Sequence, residues 1–143
     1  MSLAEQLPYH DRNPSTAGFD LMPDLPILLR SPPHALSGLA LIDSGATISV
    51  LPYSLGVQLG FDWKSQNLQV RLTGTLAQIE ARGIAVEAVV GQLSPVRLVL
   101  AWAGSDQVPF VLGQFNFFQA FDVSFFRSRG FFEIQPASPS GNP

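Results

Sequence analysis

Short hydrophobic runs alternate with polar positions along the chain, and turn residues interrupt them every few residues. Pro26-Ile27-Leu28-Leu29-Arg30 is an apolar, partly β-branched run bounded by prolines, and it predicts a strand. Ser31-Pro32-Pro33-His34 breaks that run. Ser37 to Ile42 predicts a second strand ending at Asp43, and Ile48, Val50 and Leu51 read as the start of a third. Leu51 to Gly60 reads as one or two helical turns, with Pro52 suited to the first turn and Gly60 to the stop. Leu68-Gln69-Val70-Arg71-Leu72 alternates as a half-buried strand does. Leu76 to Val90 alternates more loosely, with Gly83 as an expected bulge. Val96 to Trp102 predicts another strand, and Gln114 to Phe121 a short helix. Asp122 to Phe126 and Phe131 to Ile134 flank Arg127-Ser128-Arg129-Gly130 as a β-hairpin.

Many short strands, two short helices and no strand–helix–strand rhythm predict an all-β barrel or sandwich. Residues 1–23 are turn-rich and read as an irregular N-terminal arm, pinned by isolated apolar positions such as Leu7, Tyr9 and Phe19. Residues 137–143 are small and polar with prolines and read as a disordered tail. The domain itself is expected over residues 24–136.

Composition narrows the function classes. The 143 residues make one domain, and 46% hydrophobic content with 11 Phe supports a core. Charged residues reach only 13%, well below the usual quarter, which fits apolar surface covered by another chain. The net charge is −3, Lys64 is the only lysine, and the arginines are scattered, which argues against nucleic acid as a partner. The absence of cysteine excludes disulfides and thiolate metal sites. His10 and His34, the only histidines, cannot form a three-histidine zinc site within one chain and are expected at the surface or in local hydrogen bonds. Met1 to Pro14 has no charged-then-apolar leader pattern, and no run approaches the ~20 apolar residues that span a bilayer. A soluble, cytoplasmic protein with no membrane contact is expected.

Candidate chemistry gathers at Asp43. A carboxylate at the end of a buried strand is costly unless its charge is used or satisfied. Asp43-Ser44-Gly45 by itself fits an Asx-turn, in which the side chain accepts from its own downstream amides. In context, Asp43-Ser44-Gly45-Ala46-Thr47 after an apolar strand resembles the active-site turn of the retropepsin-like aspartic proteases. About seventy residues on, Val108-Pro109-Phe110-Val111-Leu112-Gly113 followed by a short helix resembles that family's closing motif. The resemblance implies a single-domain retropepsin-like acid-protease barrel with one or two short helices over residues 24–136.

It also implies a peptide hydrolase that needs no metal or cofactor. Carboxylate-driven hydrolysis requires a pair: one ionised group draws a proton from the attacking water, and the other, protonated, hydrogen-bonds the carbonyl oxygen. Asp11, Asp20, Asp24, Asp62, Asp106 and Asp122 lack the strand–turn–glycine context, and no internal repeat duplicates the motif. A peptidase of this kind is therefore expected to be a homodimer in which Asp43 meets its copy, acting on a peptide or protein substrate. By resemblance, the Ser44 hydroxyl bonds across to the partner, and Gly45 lies close to the carboxylates. Leu112 and Gly113 pack behind the turn, and Thr73-Gly74-Thr75 is the candidate flap tip, a point where viral relatives are richer in glycine. Gln114 stands where those relatives usually carry Arg, which removes a possible salt bridge at the subunit contact. Phe115, Phe117, Phe118 and Phe121 are expected in core or dimer packing, and Trp63 and Trp102 in core or loop packing.

Two other readings stand beside this one. A catalytically silent retropepsin-fold domain would dimerise or bind peptide without cutting. A small β-barrel for an apolar ligand would be a monomer with Asp43 in a solvated turn. On the peptidase reading, Ala46 occupies the place where pepsin-like enzymes have a hydroxyl that bonds the outer carboxylate oxygen. Loss of that bond weakens support for the charged form of a carboxylate pair. Activity is accordingly expected to extend to mildly acidic or near-neutral pH; a pH–rate profile peaking well below about pH 3 would contradict this.

Overall fold

The structure, a computed structural model, describes residues 3–138. The strands and helices follow in the order β1 (Glu5–Pro8), β2 (His10–Asp11), β3 (Leu21–Met22), β4 (Asp24–Ser31), β5 (His34–Ile42), β6 (Val50–Leu51), α1 (Tyr53–Gln58), β7 (Gln69–Arg71), β8 (Glu80–Val89), β9 (Val96–Ala103), β10 (Val111–Leu112), α2 (Phe117–Ala120), β11 (Phe121–Phe126) and β12 (Phe131–Pro136). Single 3-10 turns lie at Pro14–Thr16, Trp63–Ser65, Gly74–Leu76 and Arg127–Arg129.

The expected all-β barrel is present. Six strands run in the order β4-β5-β10-β6-β9-β8, and a β4–β8 pairing closes the ring. Two long antiparallel hairpins, β4–β5 and β8–β9, form most of the wall. Between them sit the short strands β10, parallel to β5, and β6, parallel to β9. The strand β7 adds to the outside of β8.

The period of two divides apolar residues between two cores. Ala40 and Ile42 of β5, Leu51 of β6, Ile84 and Val86 of β8, Leu98, Leu100 and Trp102 of β9, and Leu112 of β10 fill the barrel interior. Val50, Ala81, Ala101, Ala103 and Val111 point to the other face and pack with Leu72 and Val108 in a second cluster. Strands apolar on both faces give continuous rather than alternating runs.

Several expectations need correction. Residues 1–23 were expected to be irregular, but three strands form there: β1 pairs with β12, and β2 with β3. The reason is packing of residues that look isolated in the sequence. Leu7 sits opposite Phe132, and Tyr9 meets the Phe132 ring edge-on at 5.7 Å, so the arm covers an otherwise open edge of β12. The bulge expected at Gly83 is absent, since Arg82, Gly83 and Ile84 oppose Trp102, Ala101 and Leu100 without a skip. Gly83 instead leaves room for the Leu68 side chain, which a Cβ would meet at 2.7 Å. Pro52 precedes α1 rather than lying in its first turn. Gly56, mid-helix, lies against the Trp102 indole, where a Cβ would overlap the ring. Of the tail expected over residues 137–143, Ala137 is hydrogen-bonded: directly after Pro136 at the end of β12, its amide donates to the Ala120 carbonyl at 3.0 Å. Residues 139–143 lie outside the described part.

One buried charge locks the arm to the barrel. Asp24, only 5% exposed at the start of β4, accepts from Arg12 Nε at 2.8 Å and from another guanidinium nitrogen at 2.6 Å. His10 Nδ1 lies 2.8 Å from the same carboxylate. Hydrogen bonding from Arg12 holds the Asp24 carboxyl below its ordinary pKa, against burial, and raises that of the guanidinium. A carboxyl with a depressed folded pKa stabilises the fold above its unfolded value, about 3.9, and that contribution is lost as pH falls through the folded value. Because Arg12 is half-exposed, Arg12→Ala is expected to cost only about 1–2 kcal/mol at neutral pH. It should also move the acid-unfolding midpoint to higher pH. Urea unfolding followed by circular dichroism across acid pH reads both effects.

Candidate active site

Asp43 leaves β5 immediately after two core residues, Ala40 and Ile42, whose burial fixes where the strand ends. Its amide donates to the Leu112 carbonyl at 3.0 Å, and its carbonyl accepts from Ala46 at 3.1 Å. The Gly45 amide donates to Asp43 Oδ1 at 2.9 Å. The Asx-turn geometry is thus present, and the carboxylate is half-buried at its centre.

A second stretch of backbone braces this turn from behind. Val111 and Leu112 run parallel beside Leu41 and Ile42, and Val111 also pairs with Val50. The Gly113 amide donates to Ser49 Oγ at 3.0 Å, Gln114 to the Ala46 carbonyl at 2.8 Å, and Phe115 to the Thr47 carbonyl at 2.8 Å. A Cβ on Gly113 would lie 2.6 Å from the Ile48 oxygen and 2.7 Å from that of Ala46. The approach of the two segments therefore requires glycine at this position.

A cleft of about 300 Å³ opens above the turn. Asp43, Gly45, Ala46 and Thr47 line it together with Thr73, Gly74 and Thr75. The candidate active-site turn and the candidate flap tip, about thirty residues apart in sequence, thus line one cleft. Gly74 has φ +65, and a Cβ on it would meet nothing within 4 Å, so the tip itself is unencumbered. Its base is not: Leu72 is 3% exposed and packs with Val50 and Val111, joined by Leu76 and Ile79. Among the described residues, Asp43 is the only acidic side chain lining the cleft. Ser44 is exposed and is not among the lining residues. Leu112 is fully buried in the barrel core behind the turn. Among the described residues, no group of three or more His, Asp or Glu side chains is placed to hold a metal ion.

The aromatic residues separate by role. Trp102 is fully buried and stacks on Tyr53 at 5.5 Å, with Trp63 edge-on at 5.1 Å. This cluster lies apart from the cleft lining, as packing residues should. Phe117 and Phe121 are buried, whereas Phe115, beside the turn, is 52% exposed.

Two residues of the site were not legible as such. Ser49 is 1% exposed, and its hydroxyl receives the Gly113 amide. Its one sequence signal is a small hydroxyl between Ile48 and Val50 in an apolar run. Gln114, expected only to lack a salt bridge, donates from Nε2 to the Ser44 carbonyl at 2.8 Å. Nothing in the sequence marks that contact.

Neither a protein-family model nor a curated protein matches the chain. Among solved structures, it is similar to a retropepsin-like aspartic protease from Rickettsia conorii, with a TM-score of 0.66 and 13% sequence identity, over 95% of this chain and 91% of that one. The fold is therefore retropepsin-like; identity this low carries the likeness no further than the fold. Among the described residues, no helix is long and apolar enough to cross a membrane.

The two glycines of the site are expected to behave differently. Gly113→Ala drives a methyl into two backbone carbonyls and should cost about 3 kcal/mol or more. Gly45→Ala meets only Asp43 Oδ1, at 3.3 Å, and should leave the melting temperature within a few degrees of wild type. Thermal and urea unfolding of both variants gives the comparison.

Proposed function

We propose that the chain is an aspartic endopeptidase whose active site forms between two copies, each contributing Asp43. The observation that carries this reading is the cleft: Asp43 and Thr73–Thr75 line it together, and no other described lining residue is acidic. Chemistry needing two carboxylates must take the second from outside the chain, and a second copy supplies it by symmetry. The retropepsin-like fold supports the same reading.

In that arrangement two carboxylates ~3 Å apart share one proton and titrate as a unit. The ionised member accepts a proton from water as the water oxygen attacks the scissile carbonyl carbon. The protonated member hydrogen-bonds the carbonyl oxygen and passes its proton to it as charge develops there, giving a neutral tetrahedral diol. Collapse of the diol breaks the C–N bond as the now protonated carboxyl gives its proton to the leaving nitrogen and the other carboxylate takes one from a diol hydroxyl, which leaves the pair with one shared proton. The Gly45 amide, 2.9 Å from Asp43 Oδ1, holds the carboxylate plane in place through this cycle. Closure of Thr73-Gly74-Thr75 over bound peptide would exclude water, with Gly74 as the pivot.

The test is cleavage of a complex peptide mixture from about pH 3 to 7, read by mass spectrometry, beside sedimentation of the same samples. Wild type should cleave and sediment as a dimer. Asp43→Asn should remain a folded dimer and lose more than about 100-fold in rate. A folded dimer without cleavage would favour a silent, peptide-binding domain, and a folded inactive monomer would favour the ligand-binding barrel.

A further inference from the structure

We infer that Gln114 is a positioning residue for the Asp43 carboxylate, acting through the single peptide unit that joins Ser44 to Gly45. The inference rests on the peptidase reading for its kinetic consequence, but its structural content stands without it. That peptide unit is held at both ends. Its carbonyl, on Ser44, accepts from Gln114 Nε2 at 2.8 Å. Its N–H, on Gly45, donates to Asp43 Oδ1 at 2.9 Å. In a trans peptide the C=O and N–H lie in one rigid plane and point in opposite directions. Fixing the carbonyl therefore fixes the direction of the N–H, and with it the carboxylate.

Two further features support this assignment. Gln114 also donates its main-chain amide to the Ala46 carbonyl at 2.8 Å, so one residue grips the turn on either side of Gly45. Its backbone follows Gly113, whose amide donates to Ser49 Oγ at 3.0 Å and which lies too close to the Ile48 and Ala46 carbonyls to carry a side chain. The anchor is thus rigid, whereas the peptide it holds is exposed and includes a glycine, the residue least able to hold a plane on its own. A donor on the carbonyl also polarises the amide and strengthens its N–H as a donor on the far side. Exposed glutamines usually have solvated carboxamides; this one is committed to the turn.

The test uses Gln114→Met, which keeps the length of the side chain and removes the donor, and Gln114→Arg, which restores an N–H donor. Because the side chain is exposed, both variants should fold and melt within a few degrees of wild type. The structural readout is exchange of the Gly45 amide by NMR. Gln114→Met should lose about tenfold protection at Gly45 with Phe115 and Ala46 unchanged, and Gln114→Arg should recover it. The kinetic readout is a roughly tenfold fall in kcat with KM nearly constant, again recovered by Gln114→Arg. Unchanged Gly45 exchange in Gln114→Met overturns the inference whether or not the protein cleaves peptides. Faster Gly45 exchange with unchanged kcat overturns the positioning role as well. If wild type proves inactive, the peptidase reading fails separately and the exchange data alone decide how Gln114 acts on the turn.

Discussion

The site depends on one close approach, that of Gly113 to the carbonyls of Ala46 and Ile48. The parallel pairing of β10 with β5 brings the second segment to the level of Asp43, but a side chain at residue 113 would hold the two backbones apart. With glycine there, three amides in succession find acceptors on the turn: Gly113 on Ser49 Oγ, Gln114 on Ala46 and Phe115 on Thr47. The turn has no regular secondary structure of its own, and exposed turns of this kind are usually mobile. Here it is fixed from behind by main-chain hydrogen bonds, which leaves its front free to face a ligand.

The two-sided sheet explains how the segment around Gly74 comes to share the cleft with that turn. Residues of β6, β9 and β10 contribute alternately to the barrel interior and to a second apolar cluster outside it. That outer cluster gives Leu72 and Ile79 a surface to pack on, so the segment between β7 and β8 is anchored at its ends while Gly74 has free space around it. One packing arrangement thus holds both segments that line the cleft.

Legibility followed the range of the interactions. The strands β4, β5, β9 and β12 were readable because period and turn residues are local. The turn at Asp43 and the glycine at 113 were readable through resemblance, since each is a compact motif. The N-terminal strands were not, because β1 exists only by pairing with β12, more than a hundred residues away. The same holds for Asp24. As a sequence position it is an ordinary acidic residue, and its partners His10 and Arg12 acquire meaning only once β4 buries it. Gly83 was misread for a related reason. An isolated glycine in a strand fits either a bulge or a close neighbour, and the neighbour, Leu68, lies on another strand's approach. Gln114 escaped because a glutamine's carboxamide has no preferred partner until the backbone sets one within reach.

The distribution of charge bears on what the cleft accepts. Its lining holds one carboxylate, the hydroxyls of Thr47, Thr73 and Thr75, and apolar walls from Val50, Leu72 and Val111. An ionised ligand group here would face either the Asp43 charge or a desolvating wall, with no cationic partner among the described lining residues. An extended peptide presents the opposite character, a neutral backbone that hydroxyls and amides satisfy and side chains that apolar walls cover. It also places a polarised carbonyl within reach of the carboxylate. On the proposed peptidase reading, such a lining suits an extended neutral peptide better than a small charged ligand. On the same reading, a half-buried position with no basic neighbour among the described lining residues is a setting in which a second carboxylate and a shared proton would satisfy the Asp43 charge.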